Sequence, residues 1–196
     1  MPANPIFDES EVLNKARDLF WERGYSATSI SDLEKSLGIS RSSIYNSFGG
    51  KRALYDLTLK RYQEENLNYL RAYLFDQPDL KTSLKNLLIP TIDLENKHAN
   101  DQIKGCYIVN STTEMAGVCL SALGFVAKNR EQFVNIFEEA IKQSQQLDFS
   151  QETARELANF LFVLYNGLQV VVKTGVDRDE LLASVERAID RLPWVE

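Results

Sequence analysis

The sequence predicts an all-α protein of about nine helices, with a three-helix N-terminal helix-turn-helix unit and a larger helical body. Three observations predict it. Apolar residues recur at three- and four-residue spacing along almost the whole chain. Gly, Pro and Ser/Thr/Asp positions cut that pattern into helix-sized pieces, with no alternating strand pattern, internal repeat or low-complexity tract. Finally, 196 residues with 44% hydrophobic and 26% charged content suit a globular chain of one domain, or a small domain joined to a larger one.

The elements follow in order. Val12, Ala16, Leu19 and Phe20 share one helical face, and Gly24 ends that helix. Thr28 is placed to cap a short second helix carrying Ile30, Leu33 and Leu37. Gly38 breaks it, Ser40 caps a third with Ile44 and Phe48 inward, and Gly49-Gly50 ends the third. A long fourth helix is expected from about Lys51 to Leu74, bounded by Pro78 and Asp79. The fifth is expected from Leu80 to Lys97 with a kink at Pro90. HANDQIKG reads as a loop, a sixth helix starts near Cys106, and a seventh spans about Ser121 to Gln146. Ser150 to Thr174 and Arg178 to Leu192 complete the set, the last stopped by Pro193.

Charge is unevenly spread. Carboxylates outnumber Lys and Arg by 28 to 22, yet residues 1–60 balance eight of each, so the whole surplus falls in 61–196. From Lys35 to Tyr55 there are Lys35, Arg41, Lys51 and Arg52, and no Asp or Glu. Any contact with a polyanion must therefore come from this stretch. Leu37-Gly38-Ile39-Ser40 joins two short helices as a helix-turn-helix, packed through Leu33, Ile39 and Ile44. The outer face of the second then offers Arg41, Ser42, Ser43, Tyr45 and Asn46, all donors and none a carboxylate. Such a face suits base edges in a major groove. It equally describes a solvated helix surface, and helix-turn-helix shapes occur in proteins that bind no DNA.

Residues 10–57 resemble the DNA-binding domain of the TetR family of transcriptional regulators. The matching elements are Ala16-(x)2-Leu19-Phe20, Arg23-Gly24-Tyr25, Thr28-Ser29-Ile30, Gly38-Ile39-Ser40, Ile44-Tyr45, Phe48-Gly49 and Lys51-(x)2-Leu54. The resemblance covers about a quarter of the chain, and it departs at Glu34, where the family usually has a small residue. That departure predicts slightly tilted helices or a partly exposed Glu34. The resemblance implies a DNA-binding unit over 1–55 and a ligand-binding and dimerisation domain over 56–196. It implies that Thr28, Tyr45 and Lys51 contact phosphates and that Ser40, Arg41, Ser42, Ser43 and Asn46 lie in the interface, with Arg41, Ser42, Ser43 and Asn46 on base edges. Tyr45 has an alternative reading as a packing residue, and Arg52 as a solvated one.

Few phosphate contacts are available per chain, which argues for two copies on a palindromic duplex. In the helix from Ser150 to Thr174, Leu157, Phe160, Leu161, Leu164, Leu168 and Val171 make more apolar surface than one flank needs. Together with Leu182, Val185 and Ile189 they form the expected dimer interface, as in the family; a core helix within one subunit is the alternative. The resemblance also implies a small-molecule effector between the middle helices. Candidate lining residues are Cys106, Tyr107, Asn110, Thr113, Glu114, Phe125, Phe133 and Tyr165. Cys106, at a helix start beside Lys104, is placed for a lowered thiol pKa and oxidant or electrophile sensing, or else is a small buried apolar residue. Cys119 reads as inert.

No nucleophile–base pair, phosphate loop or metal-ligand cluster is visible, the single histidine, His98, falls in a polar loop, and no cofactor is implied, so an enzyme is not expected. No apolar run suggests a membrane span, and MPANPIFDESEV lacks the regions of a signal peptide, which together predict a cytoplasmic protein. The expected function is a ligand-responsive, sequence-specific transcriptional regulator, a repressor by family default. A helical adaptor without DNA binding is the alternative.

Overall fold

The computed structural model describes residues 7–93, 104–115, 120–149 and 153–195. Among them are nine α-helices: α1 (Glu9–Arg23), α2 (Ile30–Leu37), α3 (Arg41–Phe48), α4 (Lys51–Phe75), α5 (Leu80–Ile92), α6 (Tyr107–Met115), α7 (Leu120–Ser144), α8 (Ala154–Val171) and α9 (Arg178–Asp190). A short 3₁₀ turn, Val172–Thr174, extends α8. An isolated antiparallel bridge between Leu147 and Trp194 ties the chain after α7 to the C-terminal segment.

The boundaries follow local chemistry. Asp8 caps α1, accepting from the Ser10 and Glu11 amides, and Gly24 ends it at φ 83°. α5 ends at Ile92, five residues before the expected Lys97 and two after Pro90. α8 starts at Ala154 because Thr153 and Glu156 form a capping box there; the expected start at Ser150 lies outside the described residues. His98, Cys119 and most of HANDQIKG also lie outside them.

Two apolar clusters organise the molecule. The first joins Val12, Ala16, Phe20, Leu33, Leu37, Ile44 and Phe48 of α1–α3 to Leu54, Tyr55 and Leu59 of α4. It also takes in Cys106, Tyr107, Ile108 and Met115, so α6 packs against the N-terminal unit as part of its core. The second cluster holds Leu70 and Leu74 of α4 with α5, α7, α8 and α9, and α7 and α8 form its most extensive helix pair. α4 therefore runs through both, its first turns in one core and its last turns in the other.

Ala154–Thr174 has a mean hydropathy of 1.3 and is the one segment among the described residues long and apolar enough to cross a membrane, against the expectation of none. Its Leu157, Ala158, Leu161, Tyr165 and Leu168 face the second cluster, as a core helix requires. Truncating Phe137, almost fully buried in that cluster, should cost about 3–5 kcal/mol of unfolding free energy in urea titrations of Phe137→Ala.

Candidate nucleic-acid interface

The helix-turn-helix is built from short-range contacts. Ser29, rather than Thr28, is the N-cap of α2: its hydroxyl accepts from the Asp32 amide, and the Asp32 carboxylate accepts from the Ser29 amide. Thr28 is fully buried and its hydroxyl donates to the Gly24 carbonyl at 2.7 Å. The expected capping and phosphate roles of the Thr28 side chain are corrected accordingly, since its hydroxyl is spent inside the turn. Gly38, at φ 69°, makes the left-handed turn between α2 and α3.

Two groups then fix the start of α3. The Ser40 hydroxyl accepts from the Ser43 amide and lies 2.8 and 3.0 Å from the hydroxyls of Ser42 and Ser43. Glu34, half-buried on α2, accepts the Arg41 amide at 2.7 Å. The one departure from the family pattern thus caps the reading helix with a carboxylate, and it takes an amide that would otherwise be open to an anion. Ile44 and Phe48 point into the core, leaving Ser40, Arg41, Ser42, Tyr45, Asn46 and Ser47 exposed and Ser43 half-buried.

All of these sequence-predicted residues except Thr28 sit on or beside one outward face. Tyr45 is 47% exposed, so the packing alternative does not hold for it. Its ring sits against Gly50, where a Cβ would come 2.9 Å from Cε1, and the Arg41 guanidinium lies 5.9 Å from its centroid. Gly50, at φ 103°, thereby lets α4 start directly beneath α3. Lys51 opens α4 with its Nζ 4.2 Å from the Tyr25 ring centroid. Burial pulls its ammonium pKa down, against an upward push from Glu114. Arg52 is ion-paired to Asp56.

A contact that sequence reasoning missed joins this face to the body. Glu114, in the last turn of α6, accepts from the Tyr25 amide through Oε2 at 2.9 Å and from the Ser26 amide through Oε1 at 2.7 Å. These amides lie in the turn between α1 and α2. Burial pushes the Glu114 carboxyl up, but the Ser26 and Tyr25 bonds, with Lys51 nearby, hold it net below its ordinary 4.5. Glu114 is therefore a clamp on the N-terminal unit, and its expected place in a ligand pocket is corrected. Its spacing from Asn110 suggested a shared face; only the fold shows what that face meets.

The remaining pocket candidates do not converge. Cys106 and Tyr107 are buried in the first cluster, where the Tyr62 hydroxyl donates to Cys106 Sγ at 3.8 Å and Tyr107 pairs with Thr58 at 3.0 Å. Burial pushes the Cys106 thiol up, which corrects the expected lowering. Asn110 bonds Lys173 and the Lys104 carbonyl. Thr113 is exposed, and Phe133 and Tyr165 pack on each other in the second cluster, centroids 5.8 Å apart. Phe125 alone among the eight borders the cavity between α4, α6 and α7.

The expected dimer face divides as well. Leu157, Leu161, Leu168, Val185 and Ile189 are buried within the subunit, so they are core rather than interface. Phe160 and Val171 are exposed, and Leu164 and Leu182 half-buried. Phe160, Val163, Gly167, Val170 and Val171 share the outer face of α8, with Val163 67% exposed. Val163 and Val170 were missed because α8 is apolar on more than one side.

A helix-turn-helix whose second helix faces outward, mounted on a larger helical body, defines a class of DNA-binding regulators. The profile for "Bacterial regulatory proteins, tetR family" matches residues 12–57. The chain is 26% identical over 195 residues to the uncharacterised HTH-type transcriptional regulator YezE of Bacillus subtilis (strain 168), covering 98% of this chain and 100% of YezE. It is 24% identical to the HTH-type transcriptional repressor ComR of Escherichia coli (strain K12), over 90% of this chain and 85% of ComR. Among solved structures, it superposes with a TM-score of 0.82 on a cysteine mutant of the TetR family regulator CifR complexed with 26-bp operator DNA, at 27% identity over 97% of this chain and 100% of that one. The chain is therefore similar to TetR family regulators, through the family's DNA-binding model over residues 12–57 and through these relatives over nearly its whole length.

Replacing Glu114 by Gln leaves one of the two turn amides without a good acceptor and should cost about 1–3 kcal/mol at pH 7. A carboxyl held below its unfolded value contributes stability that is present above about pH 4.5 and lost as pH falls through the folded pKa. The gap between wild type and Glu114→Gln in urea unfolding should accordingly be full at pH 7 and shrink below pH 4.5.

Proposed function

We propose that this chain is a homodimeric, sequence-specific transcriptional repressor of the bacterial cytoplasm, released from a palindromic operator by a small molecule, and that it is not an enzyme. The observation that carries the reading is α3: eight residues, no carboxylate, and an outer face of Arg, Ser, Tyr and Asn donors. Residues 1–55 act as the reading unit and 56–196 as the sensing and pairing body. Tyr45 and Lys51 supply phosphate contacts, Arg41, Ser42, Ser43 and Asn46 meet base edges, and Ser40 lies beside them as the N-cap of α3.

Dimerisation is supported by the outer stripe of α8, a row of apolar side chains on the surface of a single subunit. Pairing two subunits through that stripe doubles the phosphate contacts and offers two copies of α3 to successive half-sites. The charge distribution agrees. The body carries the whole anionic surplus, so DNA is attracted only at the N-terminal unit.

Three outcomes test the reading. In gel shifts, Lys51→Ala should weaken all duplexes alike and reduce the slope of log K against log salt by about 0.9 per lost phosphate contact. Arg41→Ala or Asn46→Ala should instead relax preference at particular base pairs, by about 1–3 kcal/mol each. Val163→Glu, which places a charge in the middle of the stripe, should give a folded monomer in analytical ultracentrifugation with strongly weakened operator binding.

A further inference from the structure

A cavity of about 120 Å³ lies between the first turns of α4, the end of α6 and the start of α7. Leu59, Ile108, Met115, Phe125 and Val126 make its interior apolar, and the Arg52–Asp56 ion pair stands at its more exposed rim. Tyr55 and Ser111 are the other wall residues. Ser111 donates to the Tyr107 carbonyl at 2.7 Å. Tyr55 is 2% exposed, and its hydroxyl makes no hydrogen bond of normal geometry, although the Ser111 side chain is near enough to influence it. A buried tyrosine hydroxyl normally finds one.

We propose that this cavity is an effector subsite for a compact, mainly apolar molecule bearing one hydrogen-bond acceptor, such as a carbonyl, which takes the proton of the Tyr55 hydroxyl. The size agrees, since an apolar cavity of about 150 Å³ holds benzene. So does the mixture of apolar wall, few polar groups and charged rim. Burial pushes the Tyr55 phenol up to about 12, so at neutral pH the hydroxyl keeps its proton and can donate, and the apolar walls favour a neutral acceptor because an ionised one would lose its water. The subsite is distinct from the eight residues expected from sequence, of which it includes Phe125 alone.

Its position gives binding a consequence. Met115 lines the cavity and Glu114, its chain neighbour, clamps the turn before α2, so wall and clamp share the last turn of α6. Arg52 and Tyr55 belong to the helix that begins directly after α3. A molecule held here bears on both supports of the reading helix. This regulatory meaning rests on the DNA-binding reading; occupancy of the cavity does not.

The chain has two methionines, Met1 and Met115, so the Met115 methyl resonance of ¹³C-methyl-Met protein reports on the cavity without ambiguity. Cyclopentanone is the probe, and cyclopentane the same ring without an acceptor. Saturable shifts of Met115 are expected with cyclopentanone. Tyr55→Phe should weaken the ketone roughly five-fold, the worth of one hydrogen bond, and leave cyclopentane unchanged. Val126→Phe, filling the space, should abolish both shifts while Tyr55→Phe serves as the variant that keeps the packing. No saturable shift with cyclopentanone, or equal ketone affinity in Tyr55→Phe, overturns the subsite. Operator affinity of the wild type should fall in saturating cyclopentanone; an unchanged affinity with Met115 shifted overturns the regulatory role. A protein that binds cyclopentanone as described but no operator sinks the DNA-binding reading and leaves the subsite standing.

Discussion

The helix-turn-helix unit is tied to the body by a carboxylate that comes from outside it. The turn from Gly24 to Ser29 must present backbone amides somewhere, and Glu114 receives two of them from the body. Because the carboxylate is partly desolvated and bonded to two donors, the contact is directional: α6 cannot shift without lengthening both bonds or moving the turn. The bonds add to the register already set by the α6 side chains in the first cluster and by the unbroken α4.

The same region explains why α6 is shared property. Cys106, Tyr107, Ile108 and Met115 belong to the core of the N-terminal unit, while the helix also packs on α7 and α8. α4 bridges in a complementary way, placing its Leu54, Tyr55 and Leu59 in the first cluster and its Leu70 and Leu74 in the second. The proposed effector response would therefore reach α3 through two structural links, α4 and the Glu114 contact. Both are rigid elements with few ways to yield, the kind of part that converts a small local change into a repositioned domain.

Much of the fold was legible in the residues themselves, because helix ends are local events. Gly24, Gly38 and Gly49 end helices where expected, and Ser40 caps α3. The outer face of α3 was legible too, since Ile44 and Phe48 can point only one way in an eight-residue helix. Thr28 and Ser29 are adjacent and both can cap, so the choice between them was settled by Asp32, three residues on, and by burial of Thr28. The exposed apolar stripe of α8 was legible only in part, at Phe160 and Val171: α8 is apolar on two faces, and only its neighbours α5 and α7 decide that Leu161 is inside and Val163 outside. The pocket was least legible of all. Cys106 and Tyr165 look alike in sequence as apolar or polarisable positions, yet they belong to different clusters.

On the proposed function, two copies of the α3 face, held at one separation by a paired body, read a duplex. Selection of bound duplexes from a random pool with the full chain tests it most directly. The account requires a two-fold symmetric motif whose half-sites are spaced by about one helical turn or more. Enrichment of a single asymmetric element, or no enrichment above background, would contradict it.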